Sequence, residues 1–270
     1  MVLHAKAVFR FALLATALFL GGIQLAPKAG AQGDRGGMPG DFDYYILALS
    51  WSPTYCDNRD SEERGRYRDE DRYDDRRSYS PRRGDSDEQC NGVRPYAFVL
   101  HGLWPQYERR GWPEMCETRD RPWVPEETIE KMLDIMPSRR LVIQEYRKHG
   151  VCSGLDANRY FEAARRAYRS IRIPEEFQDL SRPLSISPDE IRKAFLEVNR
   201  QLSPDMIQIV CSRRLLRELR VCLTKDLEPR SCSQSERRLC TYEMVTLPPV
   251  RGGGAGPRGG PSYGRGGERL

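Results

Sequence analysis

The sequence of 270 residues is poor in apolar residues and in histidine. Hydrophobic residues make up only 39% of the chain, and this composition excludes a polytopic membrane protein, a coiled coil and a collagen-like chain. No internal repeat is present. The chain has three histidines and eight cysteines, and the cysteines include no C-x-x-C pair. A zinc ribbon or a thioredoxin-like redox site is therefore not expected.

The excess of positive charge is small. Lysine and arginine number 44 against 39 acidic residues, which gives a formal net charge of +5. A protein that binds a polyanion through its overall charge is expected to be far more basic. Any polyanionic partner must therefore be recognised locally, by a few residues at a site.

Residues 1–31 have the pattern of a secretory signal peptide. Lys6 and Arg10 precede the uncharged stretch Phe11–Pro27, and a small-x-small cleavage site ends at Ala31. The alternative is a membrane anchor, for which seventeen uncharged residues that end in a proline are marginal. We expect an exported mature chain, periplasmic or extracellular, without stable membrane association once the leader is removed.

Two further segments are unlike a folded core. Residues 57–89 contain 21 charged residues, and residues 248–270 are rich in glycine and arginine. Such segments offer little apolar surface to offset the entropy that is lost on ordering. We expect a mobile charged insert at 57–89, a disordered tail at 248–270 and a single domain over 32–247. The alternative is that these segments are the working parts, because such sequences can bind RNA or anionic surfaces.

The rest of the pattern predicts strands and helices that do not alternate in regular βαβ units. Strand character is clear in Asp43–Trp51, Pro95–Leu100, Asp205–Ser212 and Leu219–Thr224. Helical spacing covers Glu126–Met136, Ser138–Lys148, Ala157–Ile171 and residues 188–200. The last helix begins with a capping box formed by Ser187 and Glu190. The predicted fold class is therefore α+β.

Two histidines remain after removal of the leader, and both lie in unusual surroundings. His101 follows an apolar strand in the segment HGLWPQ, and His149 ends a predicted helix in the segment EYRKHG. On that helix Glu145, Lys148 and His149 share a face, because they are three and four residues apart. Two histidines can act as base and acid near neutral pH, and the lysine and glutamate can stabilise a charged transition state.

The same residues also have ordinary structural explanations. A Glu-Lys-His cluster on a helix is more often a solvated face, and a histidine at the end of a strand is usually structural. Two histidines alone cannot form a catalytic zinc site with three protein ligands, and disulfides would remove the thiols. We therefore expect neither a catalytic metal nor a cofactor. Composition and spacing alone do not decide between a site and a solvated face.

The segments HGLWPQ at 101–106 and EYRKHGVCSGL at 145–155 together resemble the two active-site segments of the ribonuclease T2 family. The preceding segment at 46–56 resembles the bacterial periplasmic and secreted members, and the resemblance extends from about Tyr44 to Tyr242. It implies an α+β fold with a central antiparallel sheet and packed helices. It also implies a metal-free endoribonuclease, in which the 2′-hydroxyl of single-stranded RNA attacks phosphorus to leave a 2′,3′-cyclic phosphate and a free 5′-hydroxyl.

Carried over by position, the resemblance assigns catalytic roles to four residues. His149 would take the proton of the 2′-hydroxyl, and His101 would protonate the leaving 5′ oxygen. Glu145 and Lys148 would stabilise the pentacovalent phosphorane. The expected partner is single-stranded RNA, and the protein is expected to be a monomer.

Five further positions correspond to substrate-binding positions of the family. Trp104 and Trp112 would stack a base, with core packing as the structural alternative. Gln106 stands where many members have an aspartate that favours adenine, so low base specificity is expected. Gln144 and Tyr146 stand where the family's second segment usually has histidine and tryptophan. Because glutamine cannot carry charge, we expect a weakened enzyme, and the alternative is a catalytically dead relative that only binds RNA.

The resemblance also implies a pairing for the eight cysteines, which the cysteine count alone leaves open. It pairs Cys116 with Cys152, Cys211 with Cys240 and Cys222 with Cys232, and the remaining pair is Cys56 with Cys90. Disulfides fit an exported protein. The Cys116–Cys152 bridge would tie the two active-site segments together.

Overall fold

The computed structural model describes residues 33–59, 88–92, 94–109, 111–233 and 239–251. The predicted signal peptide, most of the charged insert and most of the glycine-rich tail lie outside the described residues. The described residues fall within one compact unit that spans Ala31–Leu270. None of the helices in these residues is long and apolar enough to span a membrane.

The strands and helices follow each other irregularly along the chain. The strands are β1 Gly33–Arg35, β2 Tyr44–Trp51, β3 Phe98–Gln106, β4 Trp112–Glu114, β5 Leu184–Ile186, β6 Ile207–Ser212, β7 Leu215–Leu223 and β8 Val245–Leu247. The helices are α1 at residues 52–59, α2 Glu88–Asn91, α3 Glu126–Met132, α4 Arg139–Lys148, α5 Ala157–Arg169 and α6 Pro188–Val198. Short 3₁₀ turns cover Gly150–Ser153, Glu175–Phe177 and Pro204–Met206.

The central sheet has the strand order β3-β2-β7-β8-β5, and β6 pairs with β7 beside this path. The pairs of β2 with β3 and β7, of β6 with β7 and of β5 with β8 are antiparallel. β8 lies parallel to β7 through a single pair, Leu215 with Thr246. The predicted α+β class is confirmed, but the sheet is mixed rather than wholly antiparallel. A separate ribbon pairs β1 with β4 in parallel.

The central strand β2 is buried on both faces, as its continuous apolar sequence suggests. Its odd-numbered residues from Tyr45 to Trp51 join the main core beneath the helices. Its even-numbered residues Tyr44, Ile46 and Ala48 join a smaller cluster on the other face, together with Trp104. This alternation follows from the two-residue period of a strand. It places the side chains of one face of β2 directly beside the second half of β3.

The helix α6 begins where its capping box predicts, and α4 begins one residue after the predicted start, with Ser138 as its N-cap. The Ser138 side chain accepts a hydrogen bond from the backbone N–H of Leu141, which starts α4. Ser187 and Glu190 form both bonds of the predicted capping box at the start of α6.

The end of α3 differs from the prediction. The helix stops at Met132 rather than at Met136. The chain then turns, and the carbonyl of Ile135 accepts a hydrogen bond of 2.8 Å from the backbone N–H of Leu100 on β3. This bond to a neighbouring strand takes the place of a further helical turn.

The described ends of the charged insert are ordered, which moves the predicted boundaries inward. Residues 57–59 continue α1, and Glu88 and Gln89 begin α2. The first residues of the predicted tail also pack on the domain: Trp51 donates an indole hydrogen bond of 3.1 Å to the carbonyl of Pro248. Arg251 forms an ion pair of 2.6 Å with Asp57. These contacts attach the described ends of the insert and of the tail to the domain.

The four disulfides of the structure are the pairs that the resemblance implies. They join Cys56 to Cys90, Cys116 to Cys152, Cys211 to Cys240 and Cys222 to Cys232. The first bridge links α1 to α2 and closes the charged insert at its base. The second links the segment after β4 to the 3₁₀ turn that follows α4.

Candidate active site

His101 lies within β3 rather than beyond its end, at a β-bulge. On β2, Ala48 is paired with Gly102 and Leu49 is paired with Leu100, so His101 is an extra residue with no partner of its own. A bulge of this kind redirects the side chain of the inserted residue. Here it allows Leu100 and Leu103 both to face the main core, although they are three residues apart.

The His101 ring lies between two carboxylates. Its Nδ1 is 3.0 Å from Oε1 of Glu218 on β7. Its Nε2 is 3.7 Å from Oε1 of Glu145 on α4. The side chain is 25% exposed, whereas Glu145 and Glu218 are both buried. The histidine is therefore the member of this group that is open to solvent and to a substrate.

This environment favours the protonated form of His101. Burial lowers the pKa of His101, but the hydrogen bond with Glu218 and the negative charges of Glu145 and Glu218 raise the pKa above its usual value. The pKa of Glu218 is lowered to about 2. Burial alone would raise it, but the bond to His101 and the charges of His101, Arg220 and Arg217 outweigh burial. These surroundings favour an imidazolium–carboxylate ion pair between His101 and Glu218.

Glu145 is held by the indole of Trp104. The Trp104 Nε1 donates a hydrogen bond of 2.7 Å to Oε2 of Glu145, which leaves Oε1 on the side of His101. Burial raises the pKa of Glu145, and the charge of His101, this hydrogen bond and the charge of Lys148 act in the opposite direction. Gly102 makes the approach possible, because a Cβ at this position would overlap both the Glu145 carboxylate and the Trp104 indole.

The Trp104 ring joins the two histidines. Its centroid is 5.0 Å from that of His101, in an edge-to-face arrangement, and 5.4 Å from that of His149. The Arg220 guanidinium carbon lies 5.0 Å from the ring centroid. The two segments that were paired on sequence grounds therefore meet at this one indole.

His149 is buried at the end of α4, and its environment disfavours charge. Burial lowers the pKa of His149 well below its usual value, and the positive charges of Lys148, His101 and Arg220 lower it further. Its Nδ1 is buried and has no hydrogen-bond partner among the described residues. Protonation would therefore place a positive charge on a buried ring whose Nδ1 has no hydrogen-bond partner among the described residues. The neutral form is the stable one near pH 7.

Lys148 lies at the edge of this group and is partly exposed. Its Nζ is 3.4 Å from Oε2 of Glu114, which follows β3 on the short strand β4. The backbone carbonyl of Lys148 also accepts a hydrogen bond of 2.7 Å from Met115. The Cys116–Cys152 bridge fastens the same two segments. It therefore ties the end of α4 to the chain after β4, rather than to the HGLWPQ segment itself.

Three of the five expected substrate-binding residues are buried. Trp104 is 9% exposed and is packed against both histidines, so it does not offer an open ring to a base. Gln106 is 3% exposed, and its amide donates to the carbonyl of Pro105. Tyr146 packs against Tyr160 in the main core, and its hydroxyl donates to the carbonyl of Leu155. These positions fit support of the site better than contact with RNA.

The other two expected substrate-binding residues are accessible. Gln144 is exposed on α4, one position before Glu145. Trp112 is partly exposed at the start of β4, and its indole N–H points to Glu114 at 3.4 Å. These two side chains remain candidates for contact with a substrate.

Glu218 and Arg220 were not expected from the sequence. They lie two positions apart in LLRELRVCL, the sequence of β7, and charged residues two apart on a strand suggest a solvent-exposed face. The structure instead places Glu218 at 1% exposure, with both oxygens occupied by His101, Arg217 and Arg220. A glutamate flanked by arginines within an otherwise apolar strand is the one sequence signal of this buried cluster.

The described residues contain no group of three or more histidine, cysteine, aspartate or glutamate side chains arranged to hold a metal ion. The chemistry available here is that of two histidines in opposite electrostatic environments. Beside them lie a buried carboxylate and several fixed positive charges. Such a set of groups can transfer protons to and from a substrate and can stabilise an anion.

Comparisons with known proteins agree with this geometry. The ribonuclease T2 family profile matches residues 42–232. A ribonuclease from Aeromonas hydrophila is 30% identical over 207 residues, which are 76% of this chain and 82% of that protein. Ribonuclease I of Escherichia coli is 30% identical over 167 residues, and the match covers 50% of this chain and 56% of that protein.

A solved structure agrees at the level of the fold. It is that of an RNase-related protein from Calystegia sepium, and it aligns with a TM-score of 0.53 at 18% identity. The alignment covers 77% of this chain and 97% of that one. Together with the family profile, these matches show that the chain belongs to the ribonuclease T2 family of endoribonucleases.

Proposed function

We propose that the protein cleaves single-stranded RNA by metal-free transesterification, with His149 as general base and His101 as general acid. The observation that carries the proposal is the opposite tuning of the two rings. The pKa of His149 is lowered by burial, whereas the pKa of His101 is raised by Glu218 and Glu145. Environments that push two titratable groups apart in this way are typical of an acid and base that work as a pair.

The proposed reaction moves one proton in and one proton out. Neutral His149 takes the proton of the 2′-hydroxyl, and the resulting oxygen attacks the adjacent phosphorus. The bond from phosphorus to the 5′ oxygen then breaks, and protonated His101 delivers its proton to that oxygen. The products are a 2′,3′-cyclic phosphate and a free 5′-hydroxyl. The two histidines end in exchanged protonation states and return to their starting forms through solvent.

Fixed positive charge would stabilise the phosphorane, on which negative charge accumulates. Lys148 is partly exposed and adjacent to His149, so it can reach a non-bridging phosphate oxygen. Glu145 would act mainly by holding its place between Trp104 and His101, since its carboxylate already has partners on both sides. Arg220 lies over the Trp104 ring and adds a positive charge to the same region.

Base recognition is proposed to be weak. Stacking on an aromatic ring tolerates any base, and Trp112 is the accessible tryptophan beside the site. Gln106 is buried against Pro105, so its amide is not free to read the edge of a base in this conformation. Low specificity therefore rests on the absence of a selective contact from these two positions.

The rest of the proposal concerns the setting in which the protein acts. Four disulfides favour an oxidising compartment, such as a periplasm or the extracellular medium. A monomer in solution, with single-stranded RNA as its partner, fits a site that one chain completes. Gln144 is exposed where a charged residue would be able to hold a phosphate, so a weakened rate is part of the proposal.

The test is cleavage of a mixed-sequence single-stranded RNA by the oxidised mature protein in excess EDTA. The proposal predicts fragments with 2′,3′-cyclic ends and no loss of rate on chelation. Cleavage that needs an added metal ion would contradict it. RNA binding without cleavage, in a sample with all four disulfides formed, would favour the binding-only alternative. Removing residues 60–87 and 252–270 then separates the insert and tail from the domain, which is expected to keep its activity alone.

A further inference from the structure

The site contains a buried carboxylate that takes no part in the proposed proton transfers. Glu218 lies on β7, and its side chain is 1% exposed. Its Oε1 is 3.0 Å from Nδ1 of His101, which is 117 residues earlier in the chain. Its Oε2 accepts a hydrogen bond of 2.9 Å from Nε of Arg220. The same oxygen lies 2.9 Å from Nη2 of Arg220.

The sheet brings Glu218 and His101 together across one intervening strand. β2 lies between β3 and β7, and on its site face it carries the small residues Ala48 and Ser50. Glu218 is the direct partner of Ser50, and Arg220 is the direct partner of Ala48. A larger residue at either position would stand between the carboxylate and the imidazole. The small residues leave space for the contact.

Two bulges direct the side chains of this face. His101 is the unpaired residue of the β2–β3 ladder. Arg217 is the unpaired residue of the β6–β7 ladder, because Val210 is paired with Glu218 and Cys211 with Leu216. Bulges commonly lie beside functional sites, where they redirect side chains. The two bulges place His101, Arg217 and Glu218 side by side.

We propose that Glu218 is a positioning residue for His101: the carboxylate, held in place by Arg220, accepts the Nδ1 proton and keeps Nε2 directed toward Glu145 and the scissile phosphate. This proposal rests on the proposed function, in which His101 delivers its Nε2 proton to the leaving 5′ oxygen. A carboxylate that binds one ring nitrogen fixes both the tautomer and the orientation of the ring. Glu145 faces the other ring nitrogen, Nε2, at 3.7 Å, and therefore cannot accept the Nδ1 proton.

The charged groups around His101 set the direction of the pH effect. Glu218 and Arg217 on β7 and Glu145 on α4 act on it directly, and His149 lies across the Trp104 indole. Replacing Glu218 by glutamine keeps an acceptor for the Nδ1 proton but removes the negative charge. The acid form of His101 is then lost at a lower pH. The basic limb of the kcat/KM profile is therefore expected to move to lower pH.

The test combines NMR of the free protein with kinetics. In ¹⁵N-histidine-labelled mature protein, we expect neutral His101 to carry its proton on Nδ1, and we expect Glu218→Gln to lower the pKa of His101. Glu218→Ala is expected to reduce kcat by about 100-fold with little change in KM, within the range of a lost acid–base contribution. Glu197→Gln, an exposed glutamate on α6, is the matched control and should change neither property.

The outcomes separate this proposal from the proposed function. A wild-type His101 with its neutral proton on Nε2 would overturn the proposal without the use of any variant. So would a Glu218→Gln protein that is folded and retains the wild-type pKa of His101 and the wild-type pH profile. If the NMR result is as expected but the wild type cleaves no RNA, then the proposed function fails and the positioning of His101 by Glu218 stands.

Discussion

Replacing Trp104 with phenylalanine removes one hydrogen bond from the centre of the site. The aromatic ring is retained between His101 and His149, but the indole N–H that donates to Glu145 at 2.7 Å is lost. Glu145 is 6% exposed, so water does not readily replace the donor. Its Oε2 is then released from the position that keeps Oε1 on the side of His101.

The expected loss follows from the strength of a hydrogen bond to a charged group. Such a bond contributes about 1.5–3 kcal/mol. If the displaced carboxylate costs the transition state the same amount relative to the free enzyme, kcat/KM falls by about 10- to 150-fold. The free energy of unfolding is also expected to fall, by about 1–3 kcal/mol, because a buried carboxylate oxygen is left without a donor.

The assay is the initial rate of cleavage of a short single-stranded RNA. It is measured under conditions in which denaturant titration shows that each variant is folded. Trp123→Phe is the matched control, since Trp123 is 69% exposed. It should leave both the rate and the stability unchanged. A folded Trp104→Phe protein with the rate of the wild type would refute the view that this bond positions Glu145.

Four other perturbations probe the site and its disulfides. Gln144→His should raise kcat/KM by about 10- to 100-fold, because it restores one charge-assisted contact with phosphate; an unchanged rate would show that this position does not limit activity. Removing the Cys116–Cys152 bridge, which closes a separation of 36 residues, should lower the free energy of unfolding by about 4 kcal/mol and also impair activity. Removing the Cys222–Cys232 bridge, which closes a separation of 10 residues, should lower the free energy of unfolding by about 3 kcal/mol and impair activity less. An equal loss of rate on removal of either bridge would contradict the view that the position of Cys116–Cys152 at the end of α4 matters for activity. The pKa of Glu218 is lowered from 4.5 to about 2, so its stabilisation is complete above about pH 4.5 and is lost as the pH falls toward 2; denaturant titrations between pH 7 and pH 3 should show a smaller decline for Glu218→Gln than for the wild type.

Local signals predicted the helices and the central strand well. The capping residue Ser187 predicted the start of α6, because a side-chain acceptor at that position stabilises the first turn wherever the helix packs. The apolar run of β2 likewise predicted a buried strand. Helix ends were less predictable, since the end of α3 depends on a backbone bond to Leu100 that the local sequence does not encode.

The sequence pattern does not predict the bulge at His101. A strand pattern assumes that alternate residues face the same side, but Leu100 and Leu103 both face the core only because an extra residue is inserted between them. The prediction therefore ended the strand at Leu100 and placed His101 beyond it. The bulge depends on pairing with β2, which is a property of the tertiary fold.

The sequence identified the two histidines, Glu145 and Lys148 as a group, and the structure brings them together around Trp104. It did not identify Glu218, since the partner of that residue lies 117 positions away. It also assigned Trp104, Gln106 and Tyr146 to the substrate, although all three are buried. Residue type indicates what a side chain can do, but burial decides whether a substrate can reach it.

An activated substrate distinguishes the general base from the general acid. A nucleoside 3′-(4-nitrophenyl phosphate) releases 4-nitrophenolate, which leaves without being protonated, so its cleavage needs a base but no acid. We predict that His101→Ala is severely impaired on RNA and nearly normal on the activated substrate. We predict that His149→Ala is impaired on both. Recovery of His149→Ala on the activated substrate, with His101→Ala still impaired, would contradict the account and reverse the two roles.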